Sequence, residues 1–211
     1  MERIVCLAIG YLFGIFQTAY IYGKMNGIDI REYGSGNAGT TNALRVLGKK
    51  AGVIVLLGDV AKTVLAVVLV KVIFARTHGD MLPLLGMYAA AGAILGHNFP
   101  AQLGFRGGKG IACTAGLVLT LGPIVTILEA ATFLLTVGLT RYVSLGSILV
   151  VIELVIDIAV LGQRGYYGMS QGHLLEFYLV CTALSLMAIY RHRTNIKRLL
   201  SGTENKIFQK K

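Results

Sequence analysis

Seven apolar stretches, separated by glycine-rich or basic segments, leave this chain few folds to adopt. They cover residues 4–22, 51–74, 82–95, 111–121, 124–139, 143–161 and 174–190 of 211. A helix needs roughly 20 mostly apolar residues to cross a bilayer. Its internal hydrogen bonds satisfy the backbone where no water can. Most of the stretches approach that length. Hydrophobic side chains make up 55% of the chain and charged ones only 14%, too few charges to cover a soluble surface of this size. The expected fold is all-α: an integral membrane protein of seven transmembrane helices, forming a single polytopic domain over residues 1–211. The fourth stretch is short, so six crossings are the alternative, with the fourth and fifth stretches forming a re-entrant pair. The first stretch is followed by Tyr22-Gly23-Lys24 and not by a small-residue cleavage site, which reads as a retained helix and not a signal peptide.

The formal net charge of +10 is distributed unevenly. With seven crossings, residues 23–50, 96–110, Arg141 and the tail from Arg191 share one side and hold fifteen of the twenty Lys and Arg side chains. Arg3, Arg76 and Arg164 take the other side, and Lys62 and Lys71 fall within the second stretch. Basic loops stay in the cytoplasm, so the N-terminus is expected outside and the C-terminus and both glycine-rich loops inside. Topology and anionic ligands therefore account for the basic residues better than nucleic acid does. Cys6, Cys113 and Cys181 lie within apolar stretches, without metal-ligand spacing or a disulfide framework. They read as small buried hydrophobes, and no metal or cofactor is expected.

Some charges fall inside the stretches. Asp59 and Lys62 are three residues apart, a spacing that pairs them on one helix face. Glu129, Glu153, Asp157 and Glu176 read as interhelical polar contacts.

The loops carry the chemistry. Residues 34–45 read Gly34-Ser35-Gly36-Asn37-Ala38-Gly39-Thr40-Thr41-Asn42-Ala43-Leu44-Arg45. Closely spaced glycines let the backbone turn and offer its N–H groups to an anion. Ser35, Thr40 and Thr41 add hydroxyls, and Arg45 can grip a phosphate through two parallel hydrogen bonds. A flexible linker would need none of these side chains. No Lys stands before Thr40-Thr41 as a nucleotide loop requires. The second loop runs from Gly96-His97-Asn98-Phe99-Pro100 to Gly107-Gly108-Lys109-Gly110 and leads directly into an apolar stretch. Amides at a helix start favour anions, and Lys109 adds a charge there. His97 fits equally a proton carrier or a structural histidine at a helix end. A third region is split between Arg141-Tyr142-Val143-Ser144 and the segment holding His192, Asn195 and Glu204. A basic tail alone would bind lipid headgroups but would not call for those three residues.

Taken together, these motifs resemble the bacterial acyl-phosphate:glycerol-3-phosphate acyltransferases, matching in order along the whole chain. The first is the Gly34–Arg45 run, the second spans Gly96 to Gly110, and the third joins Arg141 and Ser144 to His192, Asn195 and Glu204. Gln102 stands where an apolar or aromatic residue is usual, and Cys113 where Thr is common. The resemblance implies transfer of a fatty acyl group from acyl phosphate to the 1-hydroxyl of sn-glycerol 3-phosphate. The product would be lysophosphatidic acid, in the first acylation of phospholipid synthesis at the bacterial inner membrane. It implies coupling to an enzyme that supplies acyl phosphate.

The resemblance also implies residue roles. Ser35, Arg45, Lys109, His192 and Asn195 would be needed for activity. Gly34, Gly36, Asn37, Gly39, Thr41, Gly107, Gly108 and Gly110 would bind acyl phosphate. Arg45, Lys109, Ser144, His192 and Asn195 would bind glycerol 3-phosphate, with His97, Asn42 and Arg141 as further candidates and Glu204 as a structural residue. Soluble glycerol-phosphate acyltransferases use a His with an Asp five positions on. Here Pro83, Gln102, Tyr178 and Lys197 follow the four histidines at that distance, so the proton must leave by another route, to the donor's own phosphate or to a protein histidine such as His97 or His192. The rival readings are a small transporter of phosphate or a phosphorylated solute, with intramembrane carboxylates lining its path, and a metal-dependent lipid phosphotransferase. The latter would want clustered carboxylates, whereas the basic face offers only Asp29, Glu32 and Glu204.

Overall fold

The computed structural model describes residues 1–207; Lys210 and Lys211, included above among the tail charges, lie outside the described residues. Among the described residues ten α-helices follow one another: α1 (Glu2–Gly14), α2 (Thr18–Met25), α3 (Thr40–Leu47), α4 (Lys49–Phe74), α5 (Leu82–Asn98), α6 (Ile111–Leu121), α7 (Pro123–Thr140), α8 (Val143–Gln163), α9 (Gln171–Arg191) and α10 (Arg193–Leu200). No strand occurs among the described residues. Six helical segments among the described residues are long and apolar enough to cross a membrane: α1 with α2, α4, α5 with its flanking turns, α7, α8 and α9. The protein is therefore a multi-pass membrane protein. Leu57, Leu65 and Val72 on α4, Leu134 and Leu139 on α7, and Leu179 and Leu186 on α9 are exposed. Apolar side chains turned outward suit a hydrocarbon solvent and would be costly in water.

Helix ends fall close to the edges of the apolar stretches. Pro83 and Pro123 occupy the first turns of α5 and α7, where a missing N–H costs nothing. The fourth stretch forms α6 alone. Gly110, at φ +84°, keeps the preceding loop out of that helix, so α6 rises only about 16 Å at 1.5 Å per residue.

Contacts divide the chain into two units, Met1–Thr120 and Leu121–Lys211. In the first, α1 packs closely along α5. The approach depends on small residues set four apart on both helices, Gly10 and Gly14 against Ala89, Gly92, Ala93 and Gly96. A Cβ at Gly10 would strike the Ala89 carbonyl oxygen, and one at Gly92 the Leu7 carbonyl oxygen. Small residues at this spacing let helix backbones meet where lipid offers no hydrophobic drive for association.

The first apolar stretch is broken. Helix α1 stops at Gly14 and α2 starts at Thr18, so carbonyls at the break lose their helical partners. Side chains replace them: Gln17 Nε2 donates to Gly14 O at 3.1 Å, Lys62 Nζ to Phe16 O at 2.8 Å, and Gln102 Nε2 to Ile15 O. Irregular backbone at membrane depth is tolerated only where it is satisfied in this way.

In the second unit α7 packs on α8, α8 on α9, and α10 against both α8 and α9. The polar contact expected of Glu129 is not made. The residue is buried at 3% exposure, and neither carboxylate oxygen has a hydrogen-bond partner among the described residues.

Glycines in these helices serve different ends, and a pair of substitutions separates them. Gly92→Ala should lower the Tm of the purified protein, on the scale of about 1–3 kcal/mol typical of overpacking. Gly138→Ala on α7 meets nothing within 4 Å and should leave the Tm unchanged or raise it, by up to about 1 kcal/mol of helix propensity.

Candidate active site

In the first unit, residues 30–47 fold as a defined structure. A short 3-10 turn, Ile30–Glu32, precedes the glycine run, and the run itself passes into α3. Residues 40–47 are thus a helix where the sequence suggested loop, which places Thr41 in its first turn and the exposed Arg45 in its last. Asn42 holds the fold of the run. It is buried, its Oδ1 accepts from the Ser35 N–H at 2.8 Å, and its Nδ2 donates to the carbonyls of Ile30 and Tyr33, each at 3.0 Å. Gly34 and Gly36 adopt φ +61° and +72°, a region where other side chains are strained. A Cβ at Gly34 would also meet Asn42 Oδ1.

The result lifts Ser35 into solvent, with Asn37 Nδ2 donating to its Oγ at 3.3 Å. Some amides in the run are already committed: Ser35 N–H to Asn42, Gly36 N–H to Tyr33 O, and Gly39 N–H to Asn37 O. Those of Thr40 and Thr41 open α3, where the first turn of a helix leaves its donors unused.

Arg31 ties the two glycine loops together. Its guanidinium forms two hydrogen bonds with Asp29, at 2.9 and 2.7 Å, and its backbone N–H a third at 3.1 Å. Its Nη1 donates to the Leu103 carbonyl at 3.1 Å, and its guanidinium lies 4.9 Å from the Tyr20 ring centroid. The guanidinium beside Asp29 holds that carboxyl down at about 2. The loops meet again deeper, where a Cβ on Gly108 would lie 2.9 Å from Ala38 O and would collide with His97 Nε2. Gly107 and Gly108 donate their N–H groups to Asn98 O and His97 O at 3.2 and 3.1 Å. These glycines are therefore required by close packing on the end of α5. Lys109, half-buried, stands between Gly108 and Gly110.

His97 is buried beneath the second loop at 2% exposure. Its Nδ1 lies 3.0 Å from Lys62 Nζ, and Lys62 pairs with Asp59 at 2.9 Å. The expected Asp59–Lys62 ion pair is present, with a histidine added to it.

The second unit gathers the third motif. Arg141 terminates α7 at φ +63°, a conformation uncommon outside glycine, and its carbonyl accepts from Ile207 N at 2.8 Å. Ser144 lies in the first turn of α8, with its Oγ buried and without a hydrogen-bond partner among the described residues. His192 caps α10, and its Nδ1 is 2.8 Å from the Ala188 carbonyl. A carbonyl only accepts, so Nδ1 carries the hydrogen and the neutral ring has its lone pair on Nε2. Asn195 Nδ2 and Arg198 Nε both donate to Glu204, at 2.8 Å each. Glu204 thus orients Asn195, in keeping with a structural role.

The sequence of residues 4–202 matches the family model for glycerol-3-phosphate acyltransferase. The glycerol-3-phosphate acyltransferase of Clostridioides difficile is 45% identical over 99% of this chain and 97% of its own length. That of Halalkalibacterium halodurans is 44% identical over the whole chain and 98% of its own. A crystal structure of PlsY, an integral membrane glycerol 3-phosphate acyltransferase, in its glycerol 3-phosphate form superposes with a TM-score of 0.83 at 31% identity. It covers 99% of this chain and 100% of the other. The chain belongs to the glycerol-3-phosphate acyltransferase family. It is an acyltransferase of glycerol 3-phosphate and an enzyme of phospholipid biosynthesis.

Sequence reasoning placed less weight than the structure does on two side chains of this acyltransferase. Thr40 Oγ1 is buried within the first glycine run, beside Thr41, without a hydrogen-bond partner among the described residues. Gln102, a departure from the family pattern, serves the α1–α2 break. Among the described residues no three His, Cys, Asp or Glu side chains come together as a metal-ligand set.

The Asp29–Arg31 clamp gives a pH signature. A carboxyl held below its unfolded pKa stabilises the fold above that pKa and loses the contribution as it protonates. The Tm difference between wild type and Asp29→Asn should therefore hold constant down to about pH 5. It should then close as pH falls from the ordinary value of 3.8 toward about 2.

Proposed function

We propose that this acyltransferase moves a fatty acyl group from acyl phosphate to the 1-hydroxyl of sn-glycerol 3-phosphate, releasing phosphate and lysophosphatidic acid. The observation that carries the reading is the pair of glycine loops held against each other at Ala38 and Gly108. Both offer helix-start amides, and a cationic side chain accompanies each, Arg45 and Lys109. That chemistry suits substrates that each carry a phosphate. The PlsY structures are described in glycerol 3-phosphate and lysophosphatidic acid forms, which agrees with this acceptor and product.

In this reading Gly34, Gly36, Asn37, Gly39, Thr41, Gly107, Gly108 and Gly110 form the acyl-phosphate cradle. Arg45, Lys109, Ser144, His192 and Asn195 bind the acceptor. Asn42 shapes the first loop, and Arg141 sets the backbone that leads to Ser144. Ser35, exposed at the crest of the first loop, donates to the oxyanion as the acceptor hydroxyl adds to the acyl carbonyl. The carbon–oxygen bond to phosphate then breaks, phosphate leaves with the electron pair, and its oxygen takes the hydroxyl proton. Positioning supplies much of the rate, since neither reactant needs a strong protein base.

We further read the chain as one polytopic domain of the bacterial inner membrane, with seven crossings, the N-terminus outside and the C-terminus cytoplasmic. The fifteen-to-three division of Lys and Arg supports that topology, and it requires the short α6 to count as a crossing. An acyl-phosphate-producing enzyme is the implied functional neighbour.

Purified protein given palmitoyl phosphate and glycerol 3-phosphate should form lysophosphatidic acid, and palmitoyl-CoA should not replace the donor. Turnover with palmitoyl-CoA at a comparable rate would overturn the donor assignment. Arg45→Ala should raise KM for glycerol 3-phosphate about 10–100-fold, the scale of a lost charge-assisted pair. Unchanged kinetics for both substrates would remove Arg45 from the site.

A further inference from the structure

Lys62 lies within α4, thirteen residues beyond its start at Lys49, and is buried at 5% exposure. An ammonium has three hydrogens and no lone pair. Three acceptors surround this one: Phe16 O at 2.8 Å, Asp59 Oδ1 at 2.9 Å and His97 Nδ1 at 3.0 Å. The third fixes the histidine. A nitrogen that accepts from an ammonium has no hydrogen of its own, so the hydrogen of the neutral ring is on Nε2. Asp59 does not compete for the same nitrogen, since its Oδ1 is 3.6 Å from Nδ1, too far for a hydrogen bond. Asp59 is itself held by Thr18 Oγ1 at 3.2 Å. The opposite edge of the ring meets the second glycine loop, since His97 Nε2 occupies the space a Cβ at Gly108 would need. The His97 carbonyl also accepts the Gly108 N–H.

We infer that Asp59, Lys62 and His97 form a positioning relay, in which the buried ammonium locks His97 as the Nε2–H tautomer and the ring edge so fixed sets the Gly107–Gly110 loop for the donor's phosphate. His97 acts through Gly108, and Lys62 through His97. The relay rests on the reading of that loop as the acyl-phosphate site. It assigns to a histidine left open between proton carrier and structural residue the task of holding a loop.

Two measurements test it separately. The first reads the tautomer, independently of any substrate, by 15N NMR of histidine-labelled protein, with His97 assigned through His97→Gln. Wild type should show His97 neutral with its hydrogen on Nε2. The variant Asp59→Leu/Lys62→Met removes both charges at similar volume, so that no unpaired buried carboxylate is left to unfold the protein. There the Nε2–H form should no longer be the sole species. An Nδ1–H ring in wild type, or the same spectrum in both proteins, overturns the relay.

The second measurement is kinetic. Glutamine can place an amide N–H near the Nε2 position, whereas asparagine reaches only the Nδ1 position. His97→Asn should raise KM for palmitoyl phosphate about tenfold, the scale of one hydrogen bond, with KM for glycerol 3-phosphate within about twofold. His97→Gln should recover most of the loss. Equal loss in both variants, or a shift confined to glycerol 3-phosphate, overturns the positioning role. If another acyl donor proved to be the substrate, the donor assignment would fail, while the tautomer and the Asn–Gln contrast measured with that donor would still judge the relay.

Discussion

The break between α1 and α2 can exist in a membrane only because side chains, its own Gln17 and two from other elements, hydrogen-bond its carbonyls. Gln17 bridges Gly14 O to the carbonyls of Gly96 and His97, so the break is joined to the end of α5. Lys62 brings α4 to Phe16 O, and Gln102 brings the second glycine loop to Ile15 O. Each unsatisfied carbonyl in hydrocarbon would cost several kcal/mol. The three donors therefore act as crosslinks. They locate the start of α2, the middle of α4 and the base of the second loop against one another. The close α1–α5 contact through Gly10, Gly14, Gly92 and Gly96 supplies the rigid frame on which those crosslinks act.

On that frame the glycine loops are held by hydrogen bonds and packing, as the proposed phosphate cradle would require. Amides bind an anion well only if they are already oriented before it arrives. Asn42 supplies the orientation in the first loop, using one acceptor and one amide nitrogen to hold Ser35, Ile30 and Tyr33. In the second loop the glycines fit because nothing larger could lie on His97. A run such as Gly107-Gly108-Lys109-Gly110 looks permissive in sequence, yet packing fixes it. Arg31 then joins one loop to the other through Leu103 O.

Much of this was legible from the residue order. The six long helical segments lie within a few residues of the apolar stretches because hydropathy is a direct physical requirement of the bilayer. The Asp59–Lys62 pair was legible from its spacing, since helical residues three apart share a face. The helices α3 and α10 were not. Both are polar and lie outside the apolar blocks, so their signal was hidden by the glycines and basic residues that suggested loop. The α1–α2 break was equally hidden, because a single polar residue, Gln17, within an otherwise apolar stretch does not mark a helix end. His97 and Lys62 are 35 residues apart, and Thr40 differs from Thr41 only in which way its hydroxyl faces. Such facts depend on tertiary packing, which no periodicity encodes.

The same contacts weigh against a transport role for the intramembrane charges. A coupling site in a transporter has to exchange partners, holding its ion or proton in one state and releasing it in another. The Lys62 ammonium has no hydrogen left to exchange. One is committed to a backbone carbonyl at the α1–α2 break, one to Asp59 and one to a histidine. Releasing any of them would expose a broken helix or a buried carboxylate, a cost of several kcal/mol with no substrate to offset it. An ion so completely coordinated is suited to staying still. It suits a place beneath a loop that, in the proposed reading, holds its shape while two phosphates are brought together, with the membrane charges supporting that loop.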